Sequence, residues 1–247
     1  MKLITWNCQG AFRKKAKHIL QINPDILVVQ ECEHPDKLIF NSSDLVPSDL
    51  LWIGDNKHKG LGVFSYGDYK FQLLKEYNPQ IKYVAPIYVS GGEFDFILIA
   101  IWANNPTDKE GQYVEQVWKA VNFYAELLKF ENVLLIGDLN SNKIWDKPKR
   151  KGNHSAVVQK LADDNIHSFY HKHYNEKQGE EIISTFFLYR NRNKPYHLDY
   201  CFASETLLNK MLKFEVGAFE DWIPFSDHMP IIVKFSKGEI TCAANPN

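Results

Sequence analysis

Short apolar blocks recur along the chain at 3–6, 26–30, 62–65, 94–102, 133–137, 184–188, 198–202 and 231–235. Most are rich in β-branched or aromatic residues, and their length predicts strands. Between some of them the apolar period lengthens. Residues 14–21 form a basic, amphipathic stretch that stops at Asn23-Pro24, and residues 112–130 carry Val114, Val117, Val121, Tyr124, Leu127 and Leu128 at helical spacing. A third helix is expected over 155–162, with Asn153 or His154 near its cap.

Some predicted strands follow one another directly, while others flank a helix. Both antiparallel and parallel pairing are therefore expected, in an α/β protein with two packed sheets and helices outside. No internal repeat, low-complexity tract or long linker is visible, so residues 1–235 read as one domain and 236–247 as a polar tail.

Composition narrows the class. Hydrophobic residues at 45% and charged residues at 24% exclude a disordered chain and a collagen-like fibre. The four cysteines, Cys8, Cys32, Cys201 and Cys242, form no CxxC pair and suggest neither a zinc knuckle nor a disulfide ladder. The N-terminus is already polar at Asn7, so no secretory apolar region is expected there. The longest apolar run, 96–103, is far short of the roughly 20 residues that span a bilayer. A cytoplasmic monomer with no membrane span is the resulting expectation. With 29 basic and 30 acidic residues the net charge is -1, so no global field draws the chain to a polyanion. A local basic surface or a bound cation has to supply that attraction.

Polar residues at the ends of the apolar blocks carry the chemistry. Asn7 and Glu31 end the first two, Asp138 and Asn140 follow VLLIG, Asp199 lies within HLDYCF, and Asp227-His228 precede the last strand. Taken singly, each is most often a turn, a strand terminator or a loop cap. Their joint occurrence at rigid strand ends allows them to converge on one point. Asn7, Glu31 and Asp227 offer oxygen ligands suited to Mg²⁺ or Mn²⁺. Asp138 is placed to orient or deprotonate a water, Asn140 to donate to developing charge, and Asp199 to hold the tautomer of His228. The sum is a metal-assisted hydrolase of phosphate esters.

TWNCQG (5–10), VVQECE (28–33), GDLNS (137–141), HLDYCF (197–202) and SDHMPI (226–231) occur in this order over nearly the whole chain. Together they resemble the endonuclease/exonuclease/phosphatase superfamily, which includes DNase I, exonuclease III, AP endonucleases, sphingomyelinases and inositol-polyphosphate 5-phosphatases. The resemblance implies a four-layered α/β sandwich. It implies Asn7 and Glu31 as the metal-binding pair, Asp138 as activator of the attacking water and Asn140 as its partner at the transition state. It further implies Asp199 supporting a protonated His228 at the scissile phosphate, with Asp227 near the metal. The chain departs from exonuclease III-like enzymes at Glu33, where a basic residue is usual. It departs again at Trp102-Ala103-Asn104-Asn105, where those enzymes place a Tyr before Pro-Asn; Asn105 is the matching amide. STFFLYR (184–190) resembles the aromatic segment that precedes their LDY motif, and Phe186 and Phe187 alternate, so one of them belongs to the core.

Two basic groups flank these motifs: Lys143, Lys147, Lys149, Arg150 and Lys151, with Trp145 among them, and Arg190, Arg192 and Lys194. Such loops track phosphates without reading sequence. Trp102, Asn105, Lys143, Trp145, Lys149, Arg150, Arg190 and Arg192 are accordingly the candidate substrate contacts. The cluster at Arg13, Lys14, Lys15 and Lys17 reads as the outer face of the first helix. His167, His171 and His173 read as a surface loop, and Cys8, Cys32 and Cys201 as small buried fillers. The leading expectation is an Mg²⁺- or Mn²⁺-dependent nuclease acting on DNA or RNA. A phosphomonoesterase or lipid or inositol phosphate hydrolase of the same superfamily is the first alternative, and a catalytically silent binder of nucleic acid or protein is the second.

Overall fold

Short continuous apolar runs, buried on both faces, form most of the central strands. The computed structural model describes residues 1–38, 46–104, 112–150 and 152–236; Asn105, Lys151, Cys242 and the rest of the tail beyond Ser236 lie outside them. In chain order the strands are β1 (Lys2–Asn7), β2 (Ile26–Cys32), β3 (Asp49–Asn56), β4 (Lys59–Ser65), β5 (Lys70–Leu73), β6 (Val84–Ser90) and β7 (Phe96–Trp102). They continue as β8 (Val133–Asp138), β9 (Ile166–Ser168), β10 (Phe186–Phe187), β11 (Pro195–Tyr196), β12 (Asp199–Ser204), β13 (Met211–Val216) and β14 (Ile231–Phe235). The helices are α1 (Ala16–Leu20), α2 (Val114–Phe123), α3 (His154–Asp163), α4 (Phe169–Tyr174), α5 (Glu205–Leu208) and α6 (Phe219–Trp222). Among the described residues no helix is long and apolar enough to cross a membrane.

Two mixed six-stranded sheets result, in the orders β13-β14-β1-β2-β4-β3 and β5-β6-β7-β8-β12-β9, and β10 pairs with β11 in a separate hairpin. Each sheet has one parallel pair at its centre, β1–β2 and β7–β8. Read from β13 and from β5, the sheets repeat one pairing pattern, a structural repeat that the residue identities do not display.

Three apolar layers explain the stacking. Leu3, Ile26, Val28, Leu98, Ala100, Leu134, Ile136, Cys201 and Ala203 meet between the sheets. The other face of β7, β8 and β12 buries Ile97, Ile99, Val133, Leu135 and Phe202 with Val117 and Val121 of α2 and Val157 and Leu161 of α3. On the far side, Ile4, Trp6, Leu27 and Val29 pack with Ile19 of α1 and Trp222 of α6. Each such side chain contributes roughly 1.5–3 kcal/mol on full burial. The architecture is a four-layered α/β sandwich, as the resemblance implies.

Several elements differ from their predicted bounds. The first helix is a 3-10 turn at Phe12–Lys14 followed by α1, and the long second helix stops at Phe123. It stops because Tyr124 turns into the core, where its hydroxyl accepts from the Asn78 backbone N–H at 3.1 Å. The block at 184–188 keeps only β10 as strand, and Phe187 is its core member, packed on Phe219. His171 and His173 are not in a loop but on α4, where His171 pairs with Glu181. Asn153 caps α3 as expected, its side chain accepting from the Ala156 N–H at 2.9 Å. Cys8, Cys32 and Cys201 are fully buried fillers.

Candidate active site

Strand alternation continues past the apolar layer at one end of the sandwich. Asn7 keeps the parity of Leu3 on β1, Asp138 that of Leu134 and Ile136 on β8, and Asp199 that of Cys201 and Ala203 on β12. All three therefore face the space between the sheets where the hydrophobic residues run out. Antiparallel pairing sets Asp199 directly opposite Asp138.

Glu31 reaches the same place by another route. Parity alone sends it to the outer face with Val29. The register shifts between Gln30 and Cys32, and Glu31 is the extra residue, with a left-handed φ of 56°. A bulge re-aims a side chain in this way. Beneath it, Gln30 donates to Thr5 Oγ1 at 2.9 Å and lies against Gly137. Gly137 has a φ of 142°, and a Cβ there meets the Ile101 carbonyl oxygen at 1.9 Å, so only glycine fits beside Asp138.

Hydrogen bonds lock the group together. Asn7 Nδ2 donates to Asp138 Oδ2 at 2.9 Å, and the Asn140 backbone N–H and Nδ2 donate to the two oxygens of Asp138 at 2.8 and 2.9 Å. His228 Nδ1 donates to Asp199 Oδ2 at 2.8 Å, with both residues buried. Ligand-capable atoms of Asp138, Asp199 and His228 all lie within 4.8 Å of one another. Glu31 approaches the Asn7 amide at 3.5 Å and pairs through its other oxygen with Lys59.

Burial and crowding set the charge states. Burial, reinforced by the Asp199 carboxylate and opposed by His228, pushes Asp138 up to about 7. Burial also raises Asp227. For His228, burial works against the charged ring, but Asp199 and Asp138 outweigh it and lift the imidazole to about 10. The site thus holds a protonated imidazole beside several carboxyl groups. Asp199 Oδ1 is buried without a hydrogen-bond partner. This oxygen-rich set is the chemistry that fits a hard divalent cation. Asn7, Glu31 and Asp227 offer oxygen donors that could hold such a cation, and Asp138, Asp199 and His228 form a group close enough to do so as well.

The remaining candidates fall in different places. Trp145, 45% exposed, packs on Tyr196, and Arg150 pairs with Glu115; both line a groove of about 460 Å³ beside Asn140. Lys143 and Lys149 are exposed on the adjoining loop, Lys143 against Gly179. Arg190 donates through Nε to Gln9 Oε1 at 3.2 Å, and Gln9 donates to Asp227 Oδ2 at 2.8 Å, so Arg190 borders the site. Two candidates have other partners in the fold. Trp102 is buried against Tyr83, its ring committed to the core, and Arg192 is engaged by Glu220 and the Phe219 ring at α6. Asn105 lies outside the described residues.

Sequence reasoning missed three participants. Gln9 joins Arg190 to Asp227, although it lies within TWNCQG. Thr185, fully buried, accepts from the Leu198 and Asp199 backbone N–H groups at 2.9 and 3.0 Å, while its carbonyl accepts from Met229. Ser226 donates to the Asn7 carbonyl at 2.7 Å and accepts from the His228 N–H at 3.0 Å. A Thr in STFFLYR and a Ser in SDHMPI were the available signals, but their partners are strands far off in sequence.

Comparison with known proteins bears on the family and the fold. The Endonuclease/Exonuclease/phosphatase family matches residues 4–228, whereas no curated protein matches in sequence. An AP endonuclease from Archaeoglobus fulgidus is similar over 96% of this chain and 99% of its own, at 17% identity and a TM-score of 0.66. A 3′ phosphatase from Neisseria, bound to a product DNA hairpin, is 19% identical over 96% of this chain and 99% of its own, with a TM-score of 0.64. The endonuclease domain of TRAS1, a telomere-specific non-LTR retrotransposon, is 14% identical over 96% of this chain and 98% of its own, with a TM-score of 0.63. At these identities the solved structures bear on the fold, and the match over residues 4–228 identifies the chain as a member of the Endonuclease/Exonuclease/phosphatase family.

Proposed function

We propose that this protein is a divalent-metal-dependent phosphodiesterase, a nuclease that hydrolyses DNA or RNA by in-line attack of water. The observation that carries the reading is the convergence of buried Asp138, Asp199 and His228 within 4.8 Å, next to Asn7 at the open end of the sandwich. Asp138 is the base. Its elevated proton affinity, near 7, suits it to take a proton from water at neutral pH, and Asn7 and Asn140 fix both of its oxygens. Asp199 keeps His228 charged and occupies its Nδ1, which leaves Nε2 as the donor to a phosphate oxygen. Asn7, Glu31 and Asp227 are the residues that would hold Mg²⁺ or Mn²⁺, which when bound supplies charge neutralisation on the phosphate.

The test is direct. Asp138→Asn and His228→Ala are expected to remain folded and to lose about 10²- to 10⁴-fold in turnover of labelled DNA or RNA, and EDTA is expected to abolish it. Wild-type-like turnover in either purified variant sinks the mechanism. Inositol phosphates, sphingomyelin and a 3′-phosphorylated strand in the same panel decide between diester, lipid and monoester substrates. The monoester arm is included because the similar Neisseria protein is a 3′ phosphatase.

A further inference from the structure

Next to Asn140 in the chain, six polar side chains close into a circuit of hydrogen bonds. Ser141 Oγ lies 2.9 Å from His154 Nδ1, and His154 Nε2 lies 2.9 Å from Gln178 Oε1. Gln178 Nε2 lies 3.2 Å from His171 Nδ1, and His171 Nε2 lies 3.0 Å from Glu181 Oε1. The other oxygen of Glu181 accepts from Asn142 Nδ2 at 3.0 Å, and Asn142 is the chain neighbour of Ser141. The circuit thus ties the start of α3, the helix α4 and the segment after it to the two residues that directly follow Asn140. Ser141, Asn142, His154 and the Glu181 side chain are all buried.

Donors and acceptors alternate around it in one sense. The Glu181 carboxylate only accepts, so His171 carries its proton on Nε2 and leaves Nδ1 to accept from Gln178. The Gln178 carbonyl then accepts from His154 Nε2, and His154 Nδ1 accepts from the Ser141 hydroxyl. Every donor points toward Glu181. Burial works against charge on that carboxyl, but donation from His171, Asn142 and the Gly179 N–H outweighs it and holds it down at about 2. Burial also keeps His154 below the ordinary imidazole range, hence neutral, as the circuit requires. Asn142 is fixed further by donation to the His197 carbonyl and the Tyr200 hydroxyl at 3.1 and 3.2 Å, and its Oδ1 accepts from the Ile144 N–H at 3.0 Å.

The residue next to this circuit is strained. Asn140 has a left-handed φ of 46°, a conformation that persists where the surroundings over-determine it. In that conformation its N–H and its Nδ2 both donate to Asp138, and Nδ2 also donates to the Ala103 carbonyl at 2.7 Å. We propose that Glu181 is a positioning residue for hydrolysis: through Asn142 on one side and His171, Gln178, His154 and Ser141 on the other, it keeps Asn140 in this conformation and so fixes the oxygens of Asp138. The inference rests on the nuclease reading above and adds a residue that acts on the base only through Asn140. Because the circuit is complete with two neutral histidines and one carboxylate, replacing the carboxylate by an amide reverses one link and leaves two donors facing each other. The strained loop is then held on one side only.

The wiring is tested first in the wild type. Ring-nitrogen resonances are expected to show His154 and His171 as neutral Nε2–H tautomers at about pH 8, and a proton on Nδ1 of either ring overturns the proposal. The second measurement uses Glu181→Gln, which keeps the side-chain shape. That protein is expected to lose about 10- to 100-fold in kcat on labelled DNA or RNA, with KM changed by no more than about twofold. Its Asn140 side-chain amide resonance, assigned by its absence in Asn140→Asp, is expected to shift from the wild-type position. His171→Gln retains an amide N–H for Glu181 where His171→Leu has none, so the first is expected to keep most of the kcat that the second loses. An unmoved Asn140 amide, an unchanged kcat, or equal losses in the two His171 variants each overturn the positioning role. If the wild type hydrolyses no substrate, it is the nuclease reading that fails, and the tautomers and the Asn140 amide still decide whether Glu181 holds the loop.

Discussion

Thr185 offers the sharpest check on how the site is held. Its Oγ1 accepts from two buried backbone donors, Leu198 N–H and Asp199 N–H, at the point where β12 begins. Thr185→Val keeps the side-chain shape and removes only that acceptor. Each orphaned buried donor costs about 1–3 kcal/mol, so the pair predicts a loss of about 2–6 kcal/mol. A chain of this size shifts by about 2–4 °C per kcal/mol, which gives a melting temperature lower by about 4–24 °C. Asp199 is also freed to move relative to His228, so kcat is expected to fall more than KM rises. Thr185→Ser retains the hydroxyl and is expected to recover most of both losses. Thermal melts and steady-state kinetics on the three proteins settle the matter. A Thr185→Val protein melting within about 1 °C of wild type would falsify the assigned role.

Other expectations follow from the same geometry. His228 has its folded pKa raised above the unfolded value, so its contribution to stability is full below about 6.5 and is lost as pH rises through about 10. Asp199→Asn is therefore expected to cost about 3–5 kcal/mol at pH 7, and the gap between its melting curve and that of wild type should close as pH approaches 10; a gap independent of pH refutes the pairing. Without substrate, Mg²⁺ or Mn²⁺ at about 100 times its Kd should add about 2.7 kcal/mol of stability, and Glu31→Gln should lose most of that increment; no shift with either ion argues against the cation site. Gly137→Ala, which drives a Cβ into the Ile101 carbonyl, should destabilise by more than about 4 kcal/mol, and a soluble protein melting near wild type would contradict the close approach.

Much of this was legible because short continuous apolar blocks are the strands buried on both faces. Asn7, Asp138 and Asp199 could be placed at strand ends from apolar blocks alone. Glu31 could not be aimed, because its orientation depends on a bulge that no residue type announces. Of the strands outside the predicted blocks, β5, β9 and β11 are only two to four residues long. β3 (DLLWIGDN) and β13 (MLKFEV) lie at the sheet edges and are only partly buried, while β6 contains Pro86, a residue that argues against a strand. The long helix over 112–130 was overestimated because its apolar period runs on past Phe123, and only the core position of Tyr124 explains the turn. Thr185, Gln9 and Ser226 each reach a partner 13 to 219 positions away, a distance across which local pattern carries nothing.

The connection order of the first sheet bears on when activity can arise. β1 lies between β2, its near neighbour in sequence, and β14, which follows it by more than two hundred residues, while the second sheet is made entirely from the chain between β4 and β13. Asn7 and Glu31 therefore leave the ribosome early, but the loop carrying Asp227 and His228 arrives only once the second sheet is already available. Closure of β14 onto β1 is a long-range event, the kind that forms late. A nascent or truncated chain lacking residues 227–235 has neither Asp227 nor His228, so under the proposed function hydrolytic competence and completion of the first sheet coincide.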